Sequence, residues 1–122
     1  MQYGLKDSVI HQIRQVFSRY EELEQALLYG SRAKGNFKPG SDIDLTLIGE
    51  GLNQKILTKL EDDIDDLMLP YTFDFSILKQ VTNDDFIDHV KRIGIVFYDR
   101  RTAEADLLDP ILLEDKGTAN DY

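Results

Sequence analysis

The 122-residue sequence has no cysteine, no tryptophan, three prolines and two histidines. Without thiols there is no disulfide framework and no thiolate metal site, and His11 and His89 lie far apart, so a structural zinc site is excluded. Cations are scarce as well: 14 Lys and Arg stand against 23 Asp and Glu, a net charge of −9. That excess repels polyphosphate backbones unless cations are concentrated locally or metal ions intervene, so no direct nucleic-acid binding is expected. No segment approaches the ~20 apolar residues of a membrane span, and the opening Met-Gln-Tyr-Gly-Leu-Lys-Asp lacks the charged start and apolar run of a signal peptide. A cytoplasmic, soluble protein is expected.

What is present suffices for one core. Apolar residues make up 42% of the chain and aromatics 10%, at a length typical of a single domain. The charge is uneven: Thr102 to Tyr122 carries −5, the first 101 residues only −4. The expected division is a folded domain over residues 1–101 and an acidic C-terminal tail over 102–122. Within the tail, Leu107, Leu108, Ile111, Leu112 and Leu113 form an apolar cluster suited either to packing back on the domain or to docking on a partner.

Hydrophobic period orders the elements. Val9, Ile10, Ile13, Val16, Phe17 and Tyr20 recur at helical spacing behind the N-cap types Asp7 and Ser8. Ala26 to Tyr29 is a short apolar run stopped by Gly30-Ser31, a buried strand meeting a turn. Ser31 to Ser41 reads as a loop with one helical turn at its start. From Asp42 the period becomes two, with Ile43, Leu45 and Leu47 on one face and Asp42, Asp44 and Thr46 on the other. A helix follows over Asn53 to Leu69, ended by Pro70, and a third strand over Tyr71 to Ile77. Thr82 or Asn83 caps a short helix ended by Gly94, before a last strand at Ile95 to Tyr98. Helix, strand, loop, strand, helix, strand, helix, strand implies an α/β fold, a small mixed sheet with helices packed against it.

Three acids stand on the polar faces of strands, where Asp is disfavoured: Asp42, Asp44 and Asp74. Residues i and i+2 share a strand face roughly 6.6 Å apart, so Asp42 and Asp44 can lean toward one pair of ions. Two divalent cations ~4 Å apart suit in-line phosphoryl or nucleotidyl displacement, and oxygen-only ligands point to Mg²⁺ or Mn²⁺. The plain alternative is that these acids face solvent on a half-covered sheet. The upstream turn, Gly30-Ser31-Arg32-Ala33-Lys34-Gly35, decides between them. Glycine lets the backbone approach a ligand, and the serine hydroxyl, the following amides and a helix start can donate to phosphate oxygens. Arg32 and Lys34 place cations in that turn, each as open to solvent contact as to phosphate contact. His89 reads as a helix residue, Glu61 to Asp66 as a wet helix face, and Tyr71, Phe73 and Phe75 as core.

Gly30-Ser31, ten intervening residues, then Asp42-Ile43-Asp44 resembles the signature of the polymerase-beta-like nucleotidyltransferases, with Asp74 where that family carries its third carboxylate. The Gly-Ser-Arg-Ala-Lys-Gly loop and closing Gly94-Ile95-Val96-Phe97-Tyr98 look most like the stand-alone minimal nucleotidyltransferases, over about residues 5 to 100. The resemblance implies the polymerase-beta-like nucleotidyltransferase fold and an antitoxin partnered with a HEPN-domain ribonuclease toxin in a hetero-oligomer. It implies transfer of AMP from ATP to a toxin hydroxyl, a tyrosine. By position, Ser31 would bind the β- and γ-phosphates and Gly30 permit close approach. Asp42 and Asp44 would hold two Mg²⁺ ions, and Asp74 would hold the catalytic one and help deprotonate the acceptor. A non-catalytic antitoxin that neutralises its toxin by contact is the competing expectation, and a nucleotide-sensing regulator a lesser one.

Overall fold

The alternation from Ile43 to Ile48 is realised as a strand at the centre of a four-stranded mixed sheet. A computed structural model describes residues 1–102 of the chain. Its strands are β1 (Gln25–Tyr29), β2 (Ile43–Ile48), β3 (Phe73–Ile77) and β4 (Ile95–Asp99), in the order β3-β2-β1-β4. β1 runs antiparallel to both β2 and β4, whereas β2 and β3 are parallel. A parallel pair needs a crossover, which α3 (Gln54–Asp65) supplies. The other helices are α1 (Asp7–Ser18), the short α2 (Gly30–Lys34) and α4 (Asp84–Ile93), and a 3₁₀ turn covers Leu78–Gln80.

Register separates the faces. Ala26 stands opposite Leu47, Leu28 opposite Leu45, and Ile43, Leu45 and Leu47 opposite Phe73, Phe75 and Ile77. These side chains share one face, and Val9, Ile10, Ile13, Val16 and Phe17 of α1 join Leu57, Leu60 and Ile64 of α3 with them in one core. Phe17 meets Phe75, Phe97 and Tyr98 edge-on at ring separations of 5.5–6.3 Å. The opposite face carries Tyr29, Asp44, Thr46, Asp74 and Ser76, and α4 reaches it through Phe86 and His89 against Tyr29.

The mixed α/β architecture expected from the sequence is the one found. Asn83 is the cap of α4, its side chain accepting from the Phe86 amide at 3.0 Å, and Asn53 caps α3 in the same way at 2.9 Å. Helix α1 begins at Asp7, earlier than its expected caps, so Asp7 lies in the first turn and Lys6 is the uncapped flank. Helix α3 stops at Asp65, short of Leu69: the Leu67 and Met68 amides donate three residues back, to Ile64 and Asp65, and Met68 takes a left-handed φ of +56° that ends the helical path. No helix among the described residues is long and apolar enough to cross a membrane. The tail's apolar cluster, Leu107 to Leu113, lies outside the described residues.

Candidate active site

On the face opposite α1 and α3, three segments converge: the turn leaving β1, the start of β2 and the middle of β3. Asp44 and Asp74 are register partners on adjacent parallel strands, and Tyr29 is the partner of Asp44 on its other side. Asp42 stands one residue before β2 and is exposed, as is Asp74, while Asp44 is half-buried. Burial, then the charges of Asp74 and of Asp42, push the Asp44 carboxyl up from 3.8 to about 6, with Arg32 opposing the rise. The acids expected to cooperate are therefore electrostatically coupled.

Gly30 is required where it stands. Its φ of +74° is a conformation L side chains rarely adopt, and a Cβ there would sit 2.3 Å from Asp44 Oδ2. The backbone thus comes up against the carboxylate. Ser31, the second residue of α2, is half-exposed. Lys34 is exposed at the end of that helix.

Arg32 corrects the sequence expectation. It is neither a solvated cation nor open to phosphate: only 2% exposed, it donates through Nε and Nη2 to the Ser41 carbonyl at 3.1 and 2.8 Å, and through Nη1 to the Tyr3 carbonyl at 2.8 Å. The Phe37 and Tyr71 rings flank it at 5.4 and 5.3 Å.

Two residues not singled out for the site also face it. The Tyr29 hydroxyl is pushed up to about 12, first by burial, then by the charges of Asp74 and Asp44, with the neighbouring Ser76 hydroxyl opposing the rise. Its signal in the sequence was alternation: with Ala26 and Leu28 in the core, Tyr29 must point the other way. His89 accepts the Gly30 amide N–H on Nε2 at 3.3 Å and lies edge-on to Tyr29. Nothing local in the sequence marks that contact, which spans 59 positions. Behind the acids, the Ser76 hydroxyl donates to Thr46 Oγ1 at 2.8 Å, which settles the buried Thr46.

As they stand, no three carboxylate or imidazole side chains among the described residues converge closely enough to hold an ion. The donor set nevertheless fits one. It consists of hard oxygen ligands, and the ionisation of Asp44 is opposed by burial and by two neighbouring carboxylates, a repulsion that a divalent cation relieves.

Comparison with known proteins bears on the fold and the family. The chain resembles in fold a chain of a toxin–antitoxin crystal structure with AMP-PNP, at 17% identity and a TM-score of 0.60, covering 94% of this chain and 91% of that one. A complex of a tri-AMPylated Shewanella oneidensis HEPN toxin with its MNT antitoxin gives 14% identity and a TM-score of 0.59, again over 94% and 91%. An MntA-HepT toxin–antitoxin structure gives 14%, 0.57, 93% and 91%. No curated protein matches the chain significantly in sequence. The family profile described as "Polymerase beta, Nucleotidyltransferase" matches residues 11–103, from α1 through β4, and the chain belongs to that family.

Proposed function

We propose that this protein is the antitoxin of a HEPN ribonuclease toxin and that it inactivates the toxin by transferring AMP from ATP to one of its hydroxyls, a tyrosine. The observation that carries the reading is the meeting of Gly30, Asp44 and Asp74 on one sheet face, within a nucleotidyltransferase domain. The likeness to chains of toxin–antitoxin structures, one holding AMP-PNP and one an AMPylated HEPN toxin, supports the choice of nucleotide and partner.

In this reading Ser31 donates its hydroxyl and the following amides to the β- and γ-phosphates, and Lys34 is the open cation of the turn. Asp42 and Asp44 would hold two Mg²⁺ ions, with Asp74 as a further ligand. Metal held there would supply positive charge against the triphosphate and make the α-phosphorus more electrophilic. Asp74, exposed toward an incoming acceptor, takes the hydroxyl proton. The acceptor oxygen then bonds to the α-phosphorus as the bond to the β-phosphate oxygen breaks, and pyrophosphate leaves.

The test is to incubate the protein, its HEPN partner, α-labelled ATP and Mg²⁺, and to follow label on either chain. Label on a toxin tyrosine, lost with Asp42→Asn/Asp44→Asn, is the expected result. An unlabelled toxin that is nonetheless inhibited would establish the contact-only antitoxin instead.

A further inference from the structure

Arg32 is the most buried charged side chain of the described residues, and no carboxylate there pairs with it. A guanidinium taken out of water without an ionic partner is costly, so its donors must be met by other means. Here backbone carbonyls meet them. Nε and Nη2 converge on Ser41, Nη2 also reaches the Pro39 carbonyl at 3.4 Å, and Nη1 reaches Tyr3.

The placement of those carbonyls relates to the site. Ser41 immediately precedes Asp42, and on the other side of Asp42 the Ile43 amide donates to the Thr72 carbonyl at 2.9 Å. The peptides flanking Asp42 are thus fixed from two directions, one from α2 beside Ser31, the other from Thr72, just before the strand that carries Asp74. Between Arg32 and Ser41 the chain includes Gly35, Pro39 and Gly40, and Gly35 has φ +89°. Among the described residues no other hydrogen bond ties the Ser41 carbonyl to α2, so without the guanidinium Asp42 would lose its link to the turn that carries Ser31.

The N-terminal knuckle closes this cage. Gln2 and Leu5 exchange backbone hydrogen bonds at 3.1 and 2.8 Å, and Tyr3, at φ +58°, presents its carbonyl to Nη1. At Gly4 a Cβ would fall 2.3 Å from Phe37 Cε1 and 2.9 Å from Arg32 Nη1. Gly4 therefore controls where the guanidinium sits, without touching the carboxylates.

We propose that Arg32 is a positioning residue: it holds Asp42 in register with Ser31 and Asp74, and the knuckle around Gly4 holds Arg32. The proposal rests on the reading of Asp42 as an ion-holding carboxylate. Lysine cannot replace the fork, because a compact ammonium cannot reach three carbonyls in one plane.

The test compares wild type with Arg32→Lys and Gly4→Ala. Mn²⁺ binding is measured by paramagnetic titration of the free protein, amide exchange across residues 41–43 without metal, and melting by calorimetry. Both folded variants should bind Mn²⁺ at least tenfold more weakly and exchange those amides faster. If Arg32→Lys does not fold, Gly4→Ala decides alone. Folded variants with wild-type Mn²⁺ affinity, whatever their melting temperature, would reduce Arg32 to a stabilising role and overturn the proposal. A wild type that binds no Mn²⁺ would remove the metal reading itself and this proposal with it.

Discussion

Asp44→Asn should make the metal-free protein more stable while abolishing transfer. In the folded chain this carboxyl is pushed from 3.8 to about 6, chiefly by burial and then by Asp74 and Asp42. At roughly 1.4 kcal/mol per pH unit, ionising it at neutral pH costs about 3 kcal/mol at full value. Partial exposure and solvent screening reduce that by about half, to roughly 1.5 kcal/mol. The sign follows from which state ionises first. Below 3.8 the carboxyl is neutral folded and unfolded alike, and the substitution changes little. Between 3.8 and about 6 the unfolded chain loses its proton first, so rising pH drains stability from the wild type but not from the variant. Above about 6 the difference is constant. Thermal melts in chelator should therefore show the variant melting about 5 °C higher at pH 7.5, with the gap closing toward pH 4. Added Mg²⁺ should raise the wild type and leave the variant unmoved. A variant no more stable than wild type at pH 7.5, or a gap that does not depend on pH, would refute the raised proton affinity of Asp44.

Four further substitutions separate fold from site. Gly30→Ala meets both a left-handed backbone and the Asp44 carboxylate, so melting should reveal a loss of about 2 kcal/mol and labelling assays no transfer, whereas Gly40→Ala, with open space around it, should be neutral in both. Leu45→Ala leaves a cavity at a fully buried core position and should cost about 2–5 kcal/mol in denaturant unfolding, with transfer retained below the melting transition. Asn83→Ala removes the cap of α4 and should cost about 1 kcal/mol, read the same way.

The parts legible in the sequence are those governed by local period and capping. The alternation of Ile43, Leu45 and Leu47 against Asp44 and Thr46 fixes which face of β2 is core, and Asn83 before an acidic turn marks the start of α4. What pairs with what was not legible. That Asp74 aligns with Asp44 depends on how α3 returns the chain, and a one-residue slip would have sent Asp74 into the core. The fate of Arg32 was equally hidden, because its partners are carbonyls of Tyr3 and Ser41, and a carbonyl carries no residue identity. His89 belongs with it: its partner is a backbone amide, invisible to any motif.

Alternate residues of β2 lie under opposite pressures. On the helix-covered face, drift is punished by folding itself, since Leu45 or Leu47 cannot shrink without leaving a void. On the acidic face, drift at Asp44 is downhill: neutralising it relieves the cost of a buried charge and then the repulsion of its neighbours, and leaves a sturdier metal-free molecule. Decay into an inert scaffold would meet no thermodynamic barrier, and a descendant that survives only as a binding partner should be recognised by a neutralised acidic face over an intact core. Asp44 persists in this chain against the grain of its own stability.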